Sequence, residues 1–323
     1  MRAVVVRSAG GPEQLVVEDV PDPEPGPGEV RIVVEAAGVN FIDVYHRTGR
    51  MKLPLPFTPG MEAAGAVDRV GEGVDDVAVG DRVAHPFRPG AYAELQVVEA
   101  ARVVKVPDGV PLRTAAGAML QGLTAHYLTT STFPLEASHT ALVHAGAGGL
   151  GLVLTQVAVA CGARVITTTS TEEKAERSRA AGASEVIRYD REDVSERVRE
   201  LTGGQGVDVV YDSVGDATAR GSLASLRRRG MLVLVGESSG PIEPPILPSD
   251  LKSGGSIFMT RPTLGDHVVD AAELRMRAEA LFGWIAEGSV RIDVSEEHPL
   301  DGAAEVHRRL ESRATTGKVL LVP

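Results

Sequence analysis

At 323 residues the chain is long enough to bury two cores, and its 43% hydrophobic and 24% charged content exclude a disordered or membrane-embedded protein. A formal net charge of −11 repels nucleic acid in general, which makes nucleic acid an unlikely partner and leaves room only for a local basic pocket. The single cysteine, Cys161, excludes an intramolecular disulfide and any cysteine-cluster metal site.

The opening stretch "MRAVVVRSAGGPEQ" has no apolar core of signal-peptide length. No apolar run approaches the roughly 18 residues of a membrane span, so a cytoplasmic enzyme without a membrane partner is expected. Residues 2 to 100 read as short strands punctuated by Gly and Pro: "AVVV", "QLVVEDV", "EVRIVVEAAGV", "AAGAVDRVG", "DRVAHP" and "AYAELQVV". Their density predicts a β-rich, barrel-like domain, with "PDPEPGPGE" (21 to 29) as an extended connector. Residues 111 to 131 change to an alanine-rich helical pattern, with Pro111 suited to its first turn.

From Thr140 the pattern alternates. Strands over 140–145, 164–169, 185–188, 207–211 and 231–235 alternate with helices over 149–160, 171–181, 192–201 and 216–228. Such alternation builds a parallel sheet with right-handed crossovers. A long helix follows at about 271–287, and the closing segments, ending in "GKVLLVP", resemble the first domain. The nucleotide domain is therefore read as an insertion.

The junction "AGAGGLG" suits an anion-binding turn. Gly146 and Gly148 permit close approach of backbone to a pyrophosphate, and Gly151 lets helix lie on strand. The free N–H groups of the helix start add a partial positive charge. In dinucleotide folds the second strand ends in Asp or Glu, which holds the ribose hydroxyls. Here it ends in Thr168, Thr169 and Ser170, with Lys174 following. Small hydroxyls leave room for a 2′-phosphate and Lys174 supplies a charge-assisted contact, so NADPH is expected. Glu172 and Glu173 keep NAD open, although at a helix start they equally suit solvent or the first turn.

With that loop and the β-rich first domain, "GVNFIDVYHRTG" (38–49), "PFTPGMEAAG" (56–65), "LQGLTAHYL" (120–128), "HAGAGGLG" (144–151), "GVDVVYDSVG" (206–215), "TRPTL" (260–264) and "LESRATTGK" (310–318) complete a pattern. The chain resembles the medium-chain dehydrogenase/reductase superfamily, and within it the zinc-independent NADPH:quinone oxidoreductase branch related to zeta-crystallin. The resemblance implies an α/β fold: a GroES-like β-rich catalytic domain plus a Rossmann domain with a doubly wound parallel sheet. It divides the chain into residues 1–123 (catalytic), 124–263 (NADPH-binding) and 264–323 (return to the catalytic domain).

The zinc-dependent branch binds its metal through a Cys and a Gly-His-Glu motif. This chain has Gly38-Val39-Asn40 near the first and Gly60-Met61-Glu62 at the second. Methionine is a poor zinc ligand, so no metal is expected, and Glu62 reads as structural.

By the same resemblance Asn40, Asp43 and Tyr45 lie near the nicotinamide, with Gln121, Thr124 and Tyr127 approaching from the linking helix. Gly148, Gly149 and Leu150 cradle the pyrophosphate, while Ser170, Lys174, Tyr189 and Arg313 surround the 2′-phosphate. Ser213 and Val214 follow the fourth strand, Val235, Gly236 and Ser238 the fifth, and Arg261, Pro262 and Thr263 flank the nicotinamide. Tyr45 is the one nominated proton donor, with Asn40 beside it in the catalytic set. Tyr127 also suits plain helix packing, Tyr45 a wall without chemistry, and Arg313 an exposed surface position. His144, at the end of a buried strand, reads as a satisfied core residue.

The implied chemistry is reduction of a quinone by hydride or single-electron transfer from NADPH. The rivals are a reductase of α,β-unsaturated carbonyls and a non-catalytic NADPH-binding protein of crystallin type. The apolar segments "MLVLVGESSGP" and "GSIFMTRPT" end the nucleotide domain at a sheet edge. In the resembling family that edge pairs across a two-fold axis, which implies a homodimer joined over residues 256–260.

Overall fold

The computed structural model describes all residues, Met1–Pro323. In chain order the first elements are β1 (Arg2–Val5), β2 (Val16–Asp19), β3 (Glu29–Gly38), α1 (Phe41–Arg47), β4 (Glu62–Val70), β5 (Arg82–Pro86), β6 (Leu95–Glu99), β7 (Val104–Lys105) and α2 (Leu112–Tyr127). The alternating half follows: β8 (Thr140–Val143), α3 (Gly149–Ala160), β9 (Arg164–Thr169), α4 (Glu172–Ala180), β10 (Glu185–Arg188), α5 (Val194–Leu201), β11 (Val207–Asp212), α6 (Asp216–Ser225), β12 (Leu226–Leu234), α7 (Pro248–Ser253) and β13 (Phe258–Thr260). The chain closes with α8 (Ala271–Glu287), β14 (Val294–Pro299), α9 (Ala303–Glu311) and β15 (Lys318–Val322). No helix is long and apolar enough to cross a membrane.

Two compact units result. The first contains Met1–Leu123, His267–Gly288 and Ile292–Pro323; the second contains Thr124–Asp266 with Ser289–Arg291. In the first, a seven-stranded sheet runs β14-β15-β3-β4-β5-β7, with β6 also paired to β3. Its pairings are antiparallel except β14 with β15. Two apolar clusters pack against this sheet, one around Val30, Ile32, Val67 and Val83, the other around Val34, Val39, Tyr92, Val306 and Leu321, and β3 passes from the first to the second where its pairing with β4 shifts register.

In the second unit six strands lie in the order β10-β9-β8-β11-β12-β13, every pair parallel. Counted within the unit this is the doubly wound 3-2-1-4-5-6 order, whose ligands bind at the carboxyl ends of the strands. In such a sheet helices cover both faces, so strands such as β8, buried from Ala141 to Val143, read as short apolar runs. Leu142, Ile166, Ile187, Val210, Leu232 and Ile257 belong to the core formed there.

Helix starts carry their own signals. Thr171 accepts the backbone N–H of Lys174 at the head of α4, Asp193 that of Glu196, and Asp270 that of Glu273. Helix α8 ends at Gly288, whose left-handed φ of 77° a side chain would oppose.

Several boundaries differ from the sequence reading, three of them with a physical cause visible in the structure. The strand expected to reach residue 145 stops at Val143, and Ala145 turns to a φ of 54° as the chain enters the glycine loop. The helix expected over 216–228 stops at Ser225, because Leu226 already pairs with Val207 on β11. A register shift then follows, Arg229 takes a φ of 60°, and its N–H bonds the Gly255 carbonyl. Sheet pairing here overrides the helical propensity of "LASLRRR". Beyond α2 the chain continues as a π-helical turn, Leu128–Thr132, where one continuous helix to 131 was expected.

Candidate active site

In the second unit the expected cofactor residues sit at strand ends. The glycine loop follows β8, Ser170 follows β9, Tyr189 follows β10, Ser213 and Val214 follow β11, Val235, Gly236 and Ser238 follow β12, and Arg261 to Thr263 follow β13. Gly148 is the N-cap of α3 and no side chain caps that helix, which leaves its first N–H groups for a ligand. A Cβ on Gly151 would lie 2.2 Å from the Ala145 carbonyl oxygen, so only glycine lets helix and loop come this close.

The end of β9 holds fewer available hydroxyls than its sequence suggests. Thr167 bonds Ser178 and Thr168 bonds His144, both buried. Thr169 Oγ1 is buried without a hydrogen-bond partner. Half-buried Ser170 and Lys174 in the first turn of α4 complete this corner. Glu172, the carboxylate that kept NAD open, is held instead by Arg179 at 2.8 Å and Arg188 at 3.1 Å. Arg188 was not singled out from the sequence. It pairs in register with Thr169, and Asp190 grips its guanidinium in two hydrogen bonds at 2.8 Å. An arginine closing an isoleucine-bearing strand was the available signal. Glu237 and Arg261 form an ion pair between the loops that follow β12 and β13.

The first unit places Asn40, Asp43 and Tyr45 on or beside α1, and Gln121 on α2. Thr124 and Tyr127, also on α2, are buried, and at 2% exposure Tyr127 is part of the helix packing. Arg313 follows α9 with a φ of 60°. The Tyr45 ring packs against Phe41 at 5.5 Å, and the Arg50 guanidinium lies 4.8 Å from its centroid.

Asn40 belongs to a buried polar hub. Lys318 Nζ donates to Glu62 Oε1 at 2.5 Å, Asn40 Oδ1 at 2.8 Å and the Val39 carbonyl at 3.1 Å, using all three ammonium hydrogens. Asn40 Nδ2 donates to Glu62 Oε1 and to the Gly38 carbonyl, and Leu120 N–H donates to Glu62 Oε2. Both amide hydrogens of Asn40 are thus engaged. Lys318, like Arg188, was not singled out from the sequence; its signal is one lysine directly before the buried run "VLLV". The hub also occupies the position where the zinc-dependent branch has its Gly-His-Glu motif. Glu62 is consumed by its partners, Met61 stands beside it, and no group of three or more His, Cys, Asp or Glu side chains is placed to hold a metal. Zinc does not fit these residues.

Asp43 closes the capping box of α1: its Oδ2 accepts from the Asn40 N–H and the Tyr92 hydroxyl, both at 2.9 Å, while Oδ1 has no partner. Burial pushes its pKa up to about 7, against the pull of those two bonds and of Lys318. The folded value exceeds the ordinary 3.8, so the folded state holds this proton more tightly. Its stabilising contribution is complete below 3.8 and is lost as pH rises to about 7. The Asp43→Asn variant should therefore gain stability relative to wild type between pH 4 and pH 8. Urea midpoints that stay a constant distance apart over that range would contradict this.

Fold and strand-end cradle together define a two-domain dehydrogenase or reductase. Residues 26–108 match the alcohol dehydrogenase GroES-like domain and residues 149–278 the zinc-binding dehydrogenase domain. The chain is 45% identical over 316 residues to a quinone oxidoreductase of Pseudomonas aeruginosa, covering 97% of each. It is 42% identical to a 2-haloacrylate reductase of a Burkholderia species, covering 99% of this chain and 98% of that one. The crystal structure of Escherichia coli quinone oxidoreductase complexed with NADPH superposes with a TM-score of 0.98 at 39% identity, covering 100% of both chains. The chain belongs to the quinone oxidoreductase family of medium-chain dehydrogenases/reductases.

Proposed function

We propose that the protein reduces quinones with NADPH and without zinc. The observation that carries this reading is full-length similarity to quinone oxidoreductases. The corner at β9 agrees with it: a buried orphan hydroxyl, Ser170 and Lys174 suit a 2′-phosphate, and Glu172 is turned to arginines rather than to a ribose.

When bound, NADPH supplies the hydride. The amides around Gly148, Gly149 and Leu150 hold the pyrophosphate, and Ser170, Lys174, Tyr189 and Arg313 hold the 2′-phosphate. Ser213, Val214, Val235, Gly236, Ser238, Arg261, Pro262 and Thr263 orient the nicotinamide half. Asn40, Gln121 and Thr124 contribute the remaining wall, while Asp43, in the capping box, and Tyr127, in the helix packing, support it from within. Asn40, with both amide hydrogens engaged, acts by holding the entry to α1 in place. A quinone has low-lying acceptor orbitals and needs no Lewis acid, which suits a donor set that cannot hold zinc.

Tyr45 Oη holds the proton for the acceptor oxygen. General acid help is typically worth about a hundredfold to ten-thousandfold, but water protonates a hydroquinone oxygen readily. Tyr45→Phe should lower quinone turnover by less than about tenfold and lower turnover of an enone further. An enone's carbanion-like intermediate needs its proton more urgently. A thousandfold loss on both substrates, with cofactor affinity unchanged, would contradict the ranking of quinone over enone. The 2-haloacrylate reductase relative keeps that second reading specific.

Assembly follows from the same reading. Strand β13 is an open sheet edge carrying Phe258 at 59% and Met259 at 40% exposure, apolar surface that isolated edges avoid. A homodimer paired symmetrically over residues 256–260 covers it. Light scattering should give a dimer; a monomer mass at micromolar concentration would contradict the pairing.

A further inference from the structure

Beneath the strand ends lie four buried groups that the proposed chemistry does not use: His144 after β8, Thr168 on β9, Asp212 on β11 and Ser222 on α6, none more than 3% exposed. His144 Nδ1 lies 3.0 Å from Thr168 Oγ1, and its Nε2 lies 3.0 Å from Ser222 Oγ. Ser222 Oγ in turn donates to Asp212 Oδ2 at 2.6 Å.

Counting hydrogens fixes the direction of this chain. A carboxylate has none to give, and a hydroxyl has one. The Ser222 hydrogen goes to Asp212, so Ser222 Oγ accepts from His144 and Nε2 carries the ring hydrogen. Burial pushes the imidazole pKa down, against the attraction of Asp212. The neutral ring then presents Nδ1 as a bare acceptor, and the Thr168 hydroxyl donates to it.

Both ends of the chain are anchored to the cofactor cradle. Asp212 Oδ1 accepts from Val214 N–H, Gly215 N–H and the Thr218 hydroxyl at 2.8 to 3.0 Å. The Asp212 carbonyl accepts from Val235 N–H and Gly236 N–H, after β12. At the other end the Thr168 carbonyl accepts from Gly146 N–H, inside the glycine loop. One hydrogen-bonded path thus joins the ends of β8, β9, β11 and β12.

We propose that His144 is a positioning residue for the nucleotide, the centre of a one-directional clamp Thr168→His144→Ser222→Asp212 that holds these strand ends in the cofactor-binding arrangement. The clamp rests on the NADPH reading above. It also divides the work at the β9 corner: Thr168, spending its hydrogen on His144, offers none to a phosphate, which leaves Ser170 and Lys174 to bind it.

The test has two arms. In the first, nitrogen-15 NMR of the imidazole reads the tautomer, which should be Nε2–H in wild type. Asp212→Asn should invert it. The asparagine oxygen takes the place of Oδ1 with its three donors, its NH2 faces Ser222, Ser222 then donates to Nε2, and Nδ1–H donates to Thr168. A wild-type ring that is Nδ1–H or doubly protonated, or a tautomer indifferent to Asp212→Asn, would overturn the clamp.

In the second arm, calorimetric titration should show NADPH Kd raised about tenfold in His144→Leu and in the milder Ser222→Ala, each losing hydrogen bonds that hold the cradle. The kcat at saturating NADPH should stay within about twofold, as expected for a group that positions the cofactor without touching the reaction. Wild-type affinity in a folded Ser222→Ala protein overturns the positioning role. A wild-type protein that binds no NADPH removes the cofactor reading, and the clamp's purpose with it, whatever the tautomer.

Discussion

Replacing Lys318 with methionine is expected to destabilise the protein by about 3–5 kcal/mol, the cost of leaving one partner of a buried ion pair uncompensated. Lys318 and Glu62 side chains are 1% and 0% exposed, so water cannot take over the carboxylate when the ammonium is removed. The loss spreads, because Asn40 Oδ1 and the Val39 carbonyl lose the same donor. Asn40 caps α1, the helix that carries Tyr45, so the variant should also lose activity near its folding midpoint. The double variant Glu62→Gln with Lys318→Met removes both charges and should recover much of the stability. Urea unfolding checks both. A Lys318→Met protein within 1 kcal/mol of wild type, to order of magnitude, would show that the hub is not held by charge.

The second large effect concerns cofactor choice. Lys174→Ala should weaken NADPH by about ten- to a hundredfold, the equivalent of roughly 1.5–3 kcal/mol for one lost charge-assisted bond, and should leave NADH nearly unchanged. Lys174 stands at the third position of α4, where Thr171 caps its backbone N–H, so its place does not depend on its side chain. Arg188, in register with Thr169, is another cation on the neighbouring strand, but Asp190 and Glu172 already engage it. It therefore replaces little of what Lys174 supplies. Titrations showing equal weakening of NADPH and NADH would remove Lys174 from the 2′-phosphate site.

The parallel sheet was legible because its central strands, β8, β9 and β11, are almost wholly buried and are punctuated by capping or glycine turns, as at Thr171 and Gly182. Helix α1 was not. "FIDVYHR" mixes aromatic and β-branched residues, and its start depends on a box closed between Asn40 and Asp43 rather than on the Ser/Thr and Glu/Gln pattern that marks such starts. The β12 start was hidden for the opposite reason: "LASLRRR" favours helix locally, and only pairing with β11 makes it strand. Glu62 was legible as structural, but its partner lies 256 residues away, and no local pattern joins two charges at that separation. His144 was legible as a satisfied core residue; the direction of its hydrogen bonds needed Asp212 and Ser222 in place.

Quinone reduction by NADPH is measured by following loss of NADPH absorbance with a simple benzoquinone and, separately, with an enone of similar size. Turnover of both is expected, with a higher kcat/KM for the quinone and a preference for NADPH over NADH that Lys174→Ala lowers by about ten- to a hundredfold. A protein that binds NADPH yet turns over neither acceptor, or one that reduces the enone far faster than the quinone, would contradict this reading.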